Sequence, residues 1–73
     1  MESRMILRVS KDKAAYLYQL LEAYEGMANY STLTEDKHLP YRDIGLYPAP
    51  DFAAQMEEVL VHLQKSVPFE RLD

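Results

Sequence analysis

Apolar and polar positions alternate as soon as the chain becomes hydrophobic. In MILRV, residues 5 to 9, Met5, Leu7 and Val9 share one parity, while Ile6 and Arg8 share the other. An unpaired charge is costly to bury, so Arg8 turned to solvent directs Met5, Leu7 and Val9 into a core and predicts a strand. SKDK interrupts this run, and Ser10 or Asp12 can cap a following helix by accepting from its free N–H groups. The period then lengthens to that of a helix. Ala14, Leu17, Leu21 and Tyr24 form one apolar stripe flanked by Tyr18 and Leu20, predicting a helix to about Glu25. In YEGM, Gly26 reads as a C-cap residue at positive φ leading directly into a strand. On this reading it reverses the chain and shapes no ligand site.

MANYSTLT, residues 27 to 34, has strand composition without clean alternation. Met27 and Leu33 fall on one parity and Ala28 and Tyr30 on the other, so the pattern chooses no inward face. EDKHLP is a polar connection closed by Pro40. YRDIGLY, residues 41 to 47, places Ile44 and Leu46 on one face and Tyr41, Asp43, Gly45 and Tyr47 on the other, as in a half-buried antiparallel partner. Gly45 fits two descriptions: a bulge or close backbone approach, or a small residue making room for a neighbouring tyrosine.

PAPD is a compact break in which Pro50 suits the first turn of a helix and Asp51 complements its positive end. Phe52, Met56, Val59, Leu60 and Leu63 share a helical stripe, with Glu57, Glu58 and Gln64 outside it and Val61 opposite. VPFERLD is compatible with a short last strand, which Pro68 confines to a sheet edge. The predicted fold class is α+β: a ferredoxin-like βαββαβ unit whose four-stranded antiparallel sheet carries two helices on one face. Right-handed crossovers place the first and third strands centrally. The uncovered face then carries Ile6, Arg8, Tyr41, Asp43, Gly45 and Tyr47, a mixed surface suited to a partner or ligand and the candidate interface.

Composition narrows the function classes. The chain has 73 residues, 48% of them hydrophobic, as expected for a single small domain spanning 1–73 with no internal linker or repeat. Below roughly 70–80 residues one core seldom supplies more than about 3–5 kcal/mol. Without cysteine there are no disulfides or thiolate metal sites, which leaves association between subunits as a common further source of stability. The net charge of -4 and the scattering of the basic residues argue against nucleic acid. MESRMILRV is soon interrupted by SKDK and reads neither as a signal peptide nor as a membrane span, so the expected location is cytoplasmic, away from membranes.

Candidate chemistry is sparse. Ser3, Ser10, Ser31 and Ser66 lack any nucleophile-elbow context and read as caps, turns or strand-surface residues. Glu58 and His62 stand four apart on one helical face, which is a solvated pair rather than a metal site, and His38 in a loop is not constrained to join them. Gly26 and Gly45 are isolated, unlike the clustered glycines of phosphate-binding loops. Tyr41 and Tyr47 have the parity to stack bases, but Asp43 would put a negative charge on that face. The expectation is no catalytic residue, no metal and no cofactor.

Two resemblances rest on these residues. RVSKDKAAYLYQLLEAYEGMANYSTL, continued by DIGLY and the last helix, resembles a family of small bacterial domains of unknown function and implies no activity. More distantly the chain resembles ACT domains, regulatory modules that pair through their sheets and often bind amino acids near the first strand–helix loop. Asp12, Ala15 and Leu17 stand at the spacing of that family's acid, glycine and leucine, and Gly26-Met27 at its turn into the second strand. Ala15 departs from the glycine that gives a ligand access to the backbone, and Ala28-Asn29 from the family's asparagine–isoleucine pair. The resemblance implies a non-enzymatic, self-associating, regulatory module, a homodimer. The alternative is a sensor for amino-acid-like small molecules, with Ser10, Lys11 and Asp12 as the ligand loop.

Overall fold

The computed structural model describes residues 4–73, so Ser3 and the first residues of the N-terminal reading lie outside the described part. The elements are β1 (Met5–Ser10), α1 (Lys11–Glu22), β2 (Ala28–Thr32), β3 (Tyr41–Pro48), a 3-10 turn (Pro50–Phe52), α2 (Ala53–Leu63) and β4 (Glu70–Arg71). They build one four-stranded sheet in the order β2-β3-β1-β4, antiparallel throughout, with the first and third strands central as expected. Period-two patterning sets the β1–β3 register: Met5 lies opposite Leu46 and Leu7 opposite Ile44, which puts four aliphatic side chains on the helix-bearing face.

Both helices press their stripes onto that face. Leu17 and Leu21 of α1 and Met56, Leu60 and Leu63 of α2 join Met5, Leu7, Val9, Ile44 and Leu46 in one buried core, and Val67 completes it behind α2. Each fully buried aliphatic side chain contributes about 1.5–3 kcal/mol before the entropy of ordering is subtracted. Val61 is 69% exposed, on the outer side of α2 as its spacing predicts.

The end of α1 differs from expectation. The helix stops at Glu22, three residues before Glu25, and its C-cap is Ala23 at φ -65. Ala23, Tyr24 and Glu25 donate to the carbonyls of Leu20, Leu21 and Glu22, so the helix tightens into a turn before Met27 and Ala28 both donate to Tyr24. Gly26 has no positive φ, and a Cβ added there would meet nothing within 4 Å. It is an exposed turn residue, not a left-handed cap. At the other end, Ser10 occupies the N-cap position without a side-chain bond to the helix backbone. The neighbouring Ser10 hydroxyl is the main cause holding the Asp12 carboxyl below the usual carboxylate range.

The second strand is shorter than the segment 27–34 and resolves the choice of face. Ala28 is buried and Tyr30 half-buried toward the helices, and Leu33 lies just past the strand, 41% exposed. Arg42 organises the connection that follows, donating to the carbonyls of Lys37, Leu39 and Tyr41 at 3.0, 3.1 and 2.8 Å. The tail does form a strand, of two residues, at the edge beside β1. The Gln64 side chain donates to the Phe69 carbonyl at 2.6 Å and accepts from the Phe69 N–H at 3.0 Å, satisfying the main chain directly after Pro68.

Candidate functional site

Side chains of one parity on β1 and β3 form the uncovered face, and the register brings the candidate interface residues into pairs. Arg8 lies opposite Asp43 and Ile6 opposite Gly45. The Arg8 guanidinium grips Asp43 with two parallel bonds, Nε to Oδ1 at 2.8 Å and Nη2 to Oδ2 at 3.0 Å. It also lies 3.9 Å from the centroid of the Tyr41 ring, a stacked cation–aromatic contact. The Arg8 bond holds the Asp43 carboxyl below its usual range, and Asp43 correspondingly raises the guanidinium. Arg8 thus presents a neutralised, flat unit and not a free cation.

Gly45 resolves in favour of the tyrosine. A Cβ at this position would stand 2.5 Å from the Tyr47 hydroxyl oxygen and 2.9 Å from its Cζ, so the ring lies folded over Gly45 along its own strand. Without a side chain at 45 the phenol reaches down to the sheet. Further residues share this face: Glu70 lies opposite Arg8, Leu72 follows beside Ile6, Leu33 extends the β2 side next to Asp43, and Asn29 and Ser31 lie opposite Tyr47 and Gly45. Reading the sequence missed them, because strand pairing and not local pattern decides their parity; the alternation of VPFERLD was the one available signal.

The predicted ligand loop sits apart from this face, at the junction of β1 and α1. Ser10, Lys11 and Asp12 are all exposed, and the Lys11 N–H is taken by the Pro40 carbonyl at 2.9 Å. Among the described residues, two shallow depressions are found. One, of about 90 Å³, is lined by Leu60, Val61, Phe69 and Arg71 among others, and one of about 120 Å³ runs from Gly26 to Tyr47 and Ala49. Both fall well below the roughly 300 Å³ at which small-molecule clefts begin. Glu58 and His62 are exposed on α2, and among the described residues no group of three His, Cys, Asp or Glu could hold a metal ion. Nor, among these residues, is any helix long and apolar enough to cross a membrane.

Comparison with known proteins finds no matching protein-family model, curated protein or solved structure.

Proposed function

We propose that this chain is a non-enzymatic, self-associating ACT-like module that acts as a homodimer and serves regulation through that assembly. One observation carries the reading. Both helices cover the same side of the sheet, while Ile6, Tyr41, Gly45 and Tyr47 stand on the other around a charge-neutralised Arg8–Asp43 pair. Aromatic and arginine groups arranged in this way favour a half-buried contact, and covering apolar area at about 25 cal/mol per Å² would supplement a small core. The alternative, a sensor for amino-acid-like molecules at Ser10, Lys11 and Asp12, has less support because the Lys11 N–H is already bonded to Pro40.

Size exclusion coupled to light scattering tests the proposal. A dimer at micromolar concentration, with a melting temperature that climbs with protein concentration, is expected. A stable monomer across that range refutes it.

A further inference from the structure

Strand β1 has two very different neighbours. β3 pairs with it at every position from Met5 to Ser10, whereas β4 pairs only with Leu7 and Arg8. The Gln64 side chain clamps the main chain at Phe69, which packs half-buried against the core. Beyond that clamp the hold is slight. Glu70, Arg71, Leu72 and Asp73 are all exposed, and the hollow lined by Leu60, Val61, Phe69 and Arg71 lies where the segment meets α2.

What ties these four residues down is polar. The Leu72 N–H donates to the Ile6 carbonyl at 2.8 Å, and by the antiparallel alternation Arg8 and Glu70 form the next bonded pair. The Ile6 N–H is taken by a side chain, Asp73 Oδ1 at 3.2 Å. Arg71 then gathers two carboxylates: Nε and Nη2 grip Asp73 at 3.0 and 2.8 Å, while Nη1 and Nη2 reach Glu57 on α2 at 3.0 and 3.2 Å. The same fork holds the Asp73 carboxyl well below the usual carboxylate range. Few bonds, all exposed, and little buried apolar area mark a segment that opens without the rest of the fold.

We infer that residues 70–73 are a strap closed by Arg71, and that the β1 edge beneath it is an acceptor site for an extended segment of a partner protein. Opening frees the main-chain groups of Ile6 and Arg8, while Leu7 and Val9 stay bonded to β3. The strap itself defines what the site takes. In order, that segment carries an acid beside Arg8, an arginine toward Glu57, an apolar side chain beside Ile6 and an acid that caps the Ile6 N–H. Main-chain bonds supply the affinity of such strand addition, and the alternating side chains supply its selectivity. Because the strap competes from within the same chain, a partner must displace it.

Amide exchange on the full chain, followed by NMR at increasing urea, tests this. Local opening exposes little surface, so Ile6 and Arg8 should exchange at least about tenfold faster than Leu7 and Val9, with little dependence on urea. Ile44→Val weakens the core whether the strap is open or closed; it should quicken Leu7 and Val9 by about threefold or more and leave Ile6 and Arg8 unmoved. Arg71→Met keeps the stem and removes both carboxylate pairs, which should quicken Ile6 and Arg8 about tenfold. Added to that variant at millimolar concentration, the synthetic peptide VPFERLD should slow them again by at least about threefold, and the same peptide with methionine in place of its arginine should not. If all four amides exchange together and share one urea dependence, the strap does not open and the inference fails. Exchange at Ile6 and Arg8 that VPFERLD leaves unchanged overturns the acceptor site.

Discussion

Replacing Gly45 with alanine should change sign in its effect on stability according to what stands at position 47. Taken alone, glycine within a strand is worse than alanine by roughly 0.5–1 kcal/mol, because its unfolded chain has more freedom to lose. The new Cβ, however, would stand 2.5 and 2.9 Å from the Tyr47 hydroxyl oxygen and Cζ. Carbon contacts settle near 3.5–4.0 Å, so the ring must lift by about 1 Å, a gap that forfeits about a quarter to a half of its dispersion attraction. With the off-rotamer cost of moving it, the loss comes to about 1–2 kcal/mol, in the range of small overpacking changes. Gly45→Ala should therefore destabilise the unmutated chain by about 1 kcal/mol and stabilise a Tyr47→Ala chain by about 0.5 kcal/mol. Urea titrations at one fixed, low protein concentration read this cycle, which must be kept clear of association. Equal effects of Gly45→Ala in both backgrounds would refute the folded-over tyrosine.

Gly26→Ala should be neutral or stabilising by about 0.5 kcal/mol, since the residue has no positive φ and open space around its Cα; a loss of about 1 kcal/mol in thermal melts would reinstate the left-handed cap. The carboxyl of Asp43 is depressed by Arg8, so its contribution is fully present above the ordinary carboxylate value near 4 and disappears as pH falls through the folded value. Stability measured from pH 7 down to about 2 should consequently fall less steeply in Asp43→Asn than in the unmutated chain, and identical slopes would rule out the coupling. Arg42→Met releases three carbonyls of the 37–41 segment, and amide exchange there should quicken while β1 stays protected. Uniform quickening would instead mean that Arg42 supports the whole fold.

Much of the architecture was legible because charge marked the faces. Arg8 and Asp43 flank Leu7 and Ile44, so alternation alone pointed the aliphatic residues inward, and crossover handedness then ordered the strands. Where both parities carry an apolar residue, as in MANYSTLT, local pattern has nothing to discriminate, and burial beneath the end of α1 decided for Ala28. Gly26 misled for a related reason: a glycine after a helix is found in left-handed caps and in ordinary turns alike, and here the helix had already tightened at Ala23. Within the candidate site, the membership of Arg8, Tyr41, Asp43, Gly45 and Tyr47 was readable from parity. Their pairing was not, because register depends on partners distant in sequence. The contributions of Leu33, Glu70 and Leu72 were hidden for the same reason.

The position of β1 between β3 and β4 also bears on how the chain is made. Leu7 and Arg8 pair with Arg71 and Glu70, so β1 waits for one of its two neighbours until the segment after α2 has been made. Loops that long close slowly, and a waiting strand rich in Met, Ile, Leu and Val is adhesive. Until that pairing is made, β1 is sheltered by β3 on one side only, and its open side is where aggregation would begin.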